Sequence, residues 1–169
     1  MEDIIGHQSA NPSIKGSSKA VLVTGGAGYV GSHTCKYLAK HGFTPIVVDR
    51  DLKTKFKPAE FGPSFDINIP QEIERLEEII KRFNITSCIH FAGSASVAES
   101  VKDPSQYYKN NVIGTIALLD KLIECGVKTF VYSSSAATYG DPGMQLCMET
   151  DVPNPISAYG SSKLMMEMI

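Results

Sequence analysis

Ala20-Val21-Leu22-Val23-Thr24-Gly25-Gly26-Ala27-Gly28-Tyr29-Val30-Gly31 decides the class of this chain. Ala20 to Thr24 is short and continuously apolar, the pattern of a strand buried on both faces of a parallel sheet. The turn after it satisfies G-x-x-G-x-x-G through Gly25, Gly28 and Gly31, and G-x-G-x-x-G through Gly26, Gly28 and Gly31. The absence of side chains has physical reasons. A tight turn needs positive φ, a pyrophosphate must approach the backbone, and the helix must pack near the strand. The helical pattern that follows, Tyr29 to Lys40, would offer its N–H groups and positive dipole end to phosphate. An ordinary strand-to-helix turn can carry such glycines, but the flanking strand and helix are the context that dinucleotide binding requires.

Downstream, strand and helix alternate. Thr44 to Asp49 reads as a second strand and Ser64 to Asp66 as a short third, after a hydrophilic stretch from Arg50 to Pro63. Pro70 to Phe83 reads as an amphipathic helix, with Ile73, Leu76, Ile79, Ile80 and Phe83 on one face. Ser87 to Phe91 is a fourth strand, a long helix is expected from about Pro104 to Glu124, and Thr129 to Ser133 is a fifth strand. Another helix begins near Tyr159. There are no hairpin signals, so the expected architecture is α/β, a Rossmann-like doubly wound parallel sheet with right-handed crossovers. Residues 1–19, rich in Ser, Gly, Asn and Pro, read as a flexible tail, leaving 20–169 as one NAD-binding domain. Asp49 closes the second strand 18 residues after Gly31, where an acid would take the adenosine ribose. Its charge favours NAD over NADP, while Arg50 beside it leaves a 2′-phosphate conceivable.

The 169 residues are 43% hydrophobic and 20% charged, enough for one domain with a core. A net charge of −2 gives no support for nucleic acid or an anionic membrane as partner. No apolar stretch approaches a membrane span, and Met1-Glu2-Asp3 does not begin a signal peptide, so a cytoplasmic location is expected. Cys35, Cys88, Cys125 and Cys147 are widely spaced with no Cys-x-x-Cys, which speaks against metal and for a reducing compartment. His90, inside an apolar strand, reads as a packed core residue.

Tyr159-Gly160-Ser161-Ser162-Lys163 places a phenol and an ammonium on one helix face. A positive charge there favours the phenolate and would make Tyr159 a usable proton acceptor. The spacing alone also occurs on solvated helices. Ser133-Ser134-Ser135 follows the fifth strand, at the end of a parallel sheet that faces ligands, although serine is common in loops.

With these motifs in order, the chain resembles the extended short-chain dehydrogenase/reductase family, and within it the nucleotide-sugar 4-epimerases. The resemblance covers nearly all of 20–169. It rests on the strings at 23–34, 89–93, 99–101, 107–115, 132–136 and 159–167. It implies that Gly25, Gly28, Tyr29, Val30 and Gly31 line the pyrophosphate of NAD, with Asp49 on the ribose and Asp66 and Ile67 flanking adenine. Phe91, Ala92, Gly93 and Asn110 would line the cofactor farther along, with Ser133 beside the nicotinamide. Ser135, Tyr159 and Lys163 would be catalytic, acting on a UDP-sugar by transient oxidation at C4. The expected activity is thus that of an NAD-dependent isomerase in carbohydrate metabolism, with UDP-glucose and UDP-galactose leading. UDP-xylose/arabinose or UDP-glucuronate are the alternatives, as is a non-catalytic dinucleotide-binding relative. The 4,6-dehydratases of the family carry an acid after the fifth strand, and Ser135-Ala136-Ala137-Thr138-Tyr139 has none, which disfavours elimination.

Three departures accompany the resemblance. Ala95 stands where many epimerases have a lysine that reaches the cofactor phosphates, and Ala137 where threonine is frequent. The family also continues well beyond the Tyr-x-x-x-Lys helix into a substrate-binding domain, so this chain reads as truncated before it. The sheet edge left open is an association surface, and a homodimer is one form it allows.

Overall fold

A computed structural model describes residues 19–53, 56–143 and 146–169. The expected tail falls almost wholly outside them. Among the described residues five parallel strands form one sheet: β1 (Ala20–Thr24), β2 (Thr44–Asp49), β3 (Ser64–Asp66), β4 (Ser87–His90) and β5 (Thr129–Tyr132), in the order β3-β2-β1-β4-β5. Leu22 of β1 lies between Ile46 and Cys88 in register. Side chains alternate across a strand, so β1 feeds two cores. On one face Leu22, Ile46, Val48 and Cys88 are covered by α2 (Glu74–Phe83) and α5 (Gly114–Glu124) through Leu76, Ile79, Ile80, Leu118 and Leu122. On the other, Val21, Val23 and Val47 meet Cys35 and Leu38 of α1 (Tyr29–Lys40). Each fully buried Leu or Ile contributes roughly 1.5–3 kcal/mol. The result is the doubly wound, Rossmann-like sheet expected.

Lys121 ties the helices of the first face together, with Nζ 3.0 Å from Glu74 Oε2 and 2.8 Å from Glu124 Oε2. Glu124 first, then Glu74, hold its ammonium above the usual lysine range. Cys35 and Cys88 are buried, Cys125 is half-buried and Cys147 exposed, all as free thiols.

Three local expectations are corrected. The helix expected from Pro70 begins at Glu74. Ahead of it, Glu72 turns back, its carboxylate accepting from the Asn68 N–H at 2.9 Å and its own N–H bonding the Asn68 carbonyl at 2.9 Å. A short helix α3 (Val97–Lys102) precedes the long one, started by Ser96, whose hydroxyl accepts from Glu99 N–H. The long helix itself is not uniform. α4 (Pro104–Tyr107), capped by Asp103, leads into a π-helical segment, Tyr108–Ile113, before α5 resumes the α pitch. The last helix, α6 (Ala158–Glu167), is capped by Ser157 and packs on that segment and on a 3₁₀ turn, Ala136–Tyr139.

Candidate functional site

All strands being parallel, their C-terminal ends share one edge. The chain leaves β1 for one side of the sheet and β4 for the other, so a crevice opens between them. A cavity of ≈ 270 Å³ occupies it, lined by Gly25, Gly28, Asp49, Ile67, Phe91, Ala92, Gly93 and Asn110, among others.

The glycine loop forms its floor because side chains have no room there. A Cβ on Gly25, whose φ is +71°, would stand 2.5 Å from the Ala92 nitrogen. One on Gly31 would stand 2.2 Å from the Gly25 carbonyl oxygen. α1 starts at Gly28 with no side-chain cap and no acid in its first turn. An anion is therefore the natural partner of that helix end. Tyr29 and Val30, 66% and 56% exposed, are not part of the lining.

Asp49 holds the loop in place. Its Oδ2 accepts from Ala27 N–H at 2.9 Å and its Oδ1 from Asp51 N–H at 3.3 Å. Burial raises its carboxyl pKa, and the Ala27 N–H opposes that. Ile67 is buried beside it, whereas Asp66 is exposed and outside the lining. Arg50 reaches across to Asn110, Nη1 to Oδ1 at 3.5 Å, so the ribose end has a cation beside its acid.

Ser133, Ser135, Tyr159 and Lys163 lie beyond the lining of this cavity, toward β5 and α6. Lys163 is 5% exposed and donates to the Ser133 carbonyl at 2.8 Å. Its Nζ lies 4.8 Å from the Tyr132 ring centroid and 6.0 Å from that of Tyr159. The expected ammonium–phenol face is present, but the hydrogen bond goes to the end of β5. Burial lowers the Lys163 pKa to about 8. Ser135 caps the 3₁₀ turn, its Oγ accepting from Ala137 N–H at 3.2 Å.

Behind these groups runs a buried polar set that sequence reading passed over. Asn111 Oδ1 accepts from Ser94 N–H at 2.7 Å, and Nδ2 donates to Ser94 O at 3.0 Å and Ser162 Oγ at 3.1 Å. Ser162 Oγ in turn donates to the Tyr159 carbonyl at 2.7 Å. The available signal was the Asn110–Asn111 pair, of which the resemblance assigns only Asn110 to the cofactor. His90, 3% exposed, is the core residue expected, lying between Thr24 and Thr115. Burial first, then the Lys163 charge, lowers its pKa to about 3.

That depression has a measurable consequence. The unfolded histidine takes its proton near pH 6.5, the folded one near 3. Its contribution to stability is complete above 6.5 and is lost as pH falls toward 3, amounting to roughly 3 kcal/mol by about pH 4.5. Urea unfolding followed between pH 7 and 4.5 is expected to show this slope, and His90→Gln to remove it. A slope unchanged in that variant contradicts the assignment.

The fold and site define a dinucleotide-binding α/β protein. Residues 21–169 match the model of the NAD dependent epimerase/dehydratase family. The chain is 41% identical over 151 residues to a UDP-glucose 4-epimerase of Rhizobium leguminosarum bv. trifolii, covering 89% of this chain and 46% of that protein. It is 44% identical over 148 residues to the UDP-glucose 4-epimerase of Halalkalibacterium halodurans, covering 88% and 44%. The crystal structure of UDP-glucose 4-epimerase from Brucella ovis in complex with NAD is similar at a TM-score of 0.83 and 41% identity, covering 89% and 46%. The chain belongs to the NAD dependent epimerase/dehydratase family. It spans about half the length of the curated relatives it matches. Among the described residues no helix is long and apolar enough to cross a membrane, and no His/Cys/Asp/Glu group could hold a metal ion.

Proposed function

We propose that this chain is the NAD-binding and proton-transfer portion of a nucleotide-sugar 4-epimerase, with UDP-glucose and UDP-galactose as the interconverted pair. Residues 20–169 form its cofactor domain. One observation carries the reading: Lys163 Nζ sits on the Ser133 carbonyl and 3.8 Å from where a Cβ of Gly93 would stand. The helix bearing Tyr159 thus meets the strand ends that line the dinucleotide groove. The groove supports NAD, because its glycine loop is held where a Cβ on Gly25 would strike Ala92 at 2.5 Å and one on Gly31 would strike Gly25 at 2.2 Å, leaving bare backbone for a pyrophosphate.

In this reading Gly25, Gly28, Tyr29, Val30 and Gly31 hold the pyrophosphate. Asp49 takes the adenosine ribose, while Asp66 and Ile67 flank adenine. Phe91, Ala92, Gly93, Asn110 and Ser133 line the path toward the nicotinamide. Bound NAD would accept a hydride from sugar C4 and return it to the opposite face. Tyr159 takes the proton of the 4-hydroxyl and gives it back. Ser135 hydrogen-bonds the same oxygen. Lys163 supplies positive charge beside the phenol. Epimerisation is favoured over dehydration because the 3₁₀ turn Ala136–Tyr139, beside Ser135, carries no carboxylate.

Incubation with UDP-galactose and NAD, with chromatographic detection of UDP-glucose, tests the proposal. Tyr159→Phe is expected to lower the rate by at least about 100-fold, the scale of a lost general acid/base. Cofactor binding without product from the unmutated chain would sink the assignment of turnover to these residues.

A further inference from the structure

The buried bonds behind the groove form a rod whose direction is fixed by proton arithmetic. The Asn111 carbonyl only accepts, and Thr115 Oγ1 donates to it at 2.6 Å. A threonine hydroxyl has one proton. At 2.9 Å, Thr115 Oγ1 therefore accepts from His90 Nε2. The buried imidazole is neutral, so its single proton is on Nε2. Its Nδ1 is left to accept from Thr24 Oγ1 at 2.5 Å. All three side chains are at most 3% exposed.

The two ends of the rod give it a purpose beyond packing. Thr24 immediately precedes Gly25 of the glycine loop. At the far end, Thr115 back-bonds to a carbonyl of the π-helical segment, an i−4 bond of the kind that bends helices. That segment places Asn110 in the groove lining and Asn111 between Ser94 and Ser162. In a regular α-helix each residue turns about 100° around the axis. Loss of the π segment would therefore re-aim both asparagines.

We propose that Thr24, His90 and Thr115 are positioning residues: they hold the π-helical segment in the register that aims Asn110 at the dinucleotide and Asn111 at the Tyr159 helix. The inference rests on the NAD site proposed above.

Nitrogen-15 NMR of the histidine ring, with calorimetric NAD titration, tests it on the full chain. In the unmutated chain His90 is expected to show a protonated Nε2 and a bare Nδ1. In Thr115→Val the Nδ1–H form is expected to appear, donating to Thr24. NAD affinity is expected to fall about tenfold, the scale of one orphaned buried group, and Thr115→Ser to restore both. Thr24→Val cuts the other end and is expected to weaken NAD similarly, with the double variant losing less than the product of the two. An Nδ1–H tautomer in the unmutated chain overturns the rod, as does unchanged NAD affinity in a folded Thr115→Val or Thr24→Val. Absence of NAD binding by the unmutated chain overturns the site reading instead, and the tautomer still decides whether the rod exists.

Discussion

Replacing Gly31 with alanine is expected to abolish measurable NAD binding and to lower stability by about 3 kcal/mol. The added methyl would stand 2.2 Å from the Gly25 carbonyl oxygen and 2.7 Å from the Gly26 Cα, so backbone must move on both sides. Neither contact is the flexible tip of a side chain. The strain falls on the turn that Asp49 holds through Ala27, and α1 is pushed off β1. A loss of this size corresponds to roughly 10 °C in Tm for a domain of this length. Gly114 is the control. A Cβ there meets only ordinary contacts at 3.8 Å, and it begins α5, so Gly114→Ala is expected to keep NAD binding. Thermal melts and calorimetric titrations of both variants make the comparison, and NAD affinity retained in Gly31→Ala contradicts the close-approach argument.

Lys163→Met is expected to make the protein more stable and functionless. The unfolded amine keeps its proton to pH 10.5, whereas the buried one releases it near 8. Between those values the unfolded chain binds more protons, so stability rises with pH. The cost of the buried charge is complete below 8 and gone above 10.5. A shift of this size is worth roughly 3 kcal/mol at neutral pH, offset by about 1 kcal/mol for the lost bond to the Ser133 carbonyl. The net expectation is a gain of about 2 kcal/mol at pH 7 that shrinks as pH rises and turns into a loss of about 1 kcal/mol above pH 10.5, where only the missing bond counts. Epimerisation is expected to drop at least about 100-fold in the same variant. A destabilised Lys163→Met at pH 7 contradicts the reading. A stabilised protein that loses turnover is the signature of a group kept for chemistry at the expense of stability.

The sequence revealed β1 and β2 well because these two strands are short, buried on both faces and rich in β-branched residues. Val21 to Val23 and Ile46 to Val48 admit no other reading once glycine and aspartate close them. The position of Asp49 at the end of β2 was legible in the sequence, although its bond to Ala27 was not, since that depends on how the loop folds back. The π-helical segment at Tyr108–Ile113 was invisible because the inward-facing Asn111 and Thr115 are polar, so no apolar pattern between Tyr107 and Leu118 marks the change of pitch. What sets it is a buried bond between residues 25 apart, His90 to Thr115, which no local window contains. The helix α3 was missed because it is only six residues long, too short for two valines one turn apart to establish a helical period. For Lys163 the i, i+4 spacing identified the face but not the partner, since Ser133 arrives from just after β5, 30 residues earlier.

Calorimetric titration of the full chain with NAD, repeated on Gly31→Ala, bears most directly on the claim that this crevice is a dinucleotide site. One-to-one binding to the unmutated chain, lost in Gly31→Ala, is the predicted result. Absence of binding by the unmutated chain, or equal affinity in the variant, would contradict it.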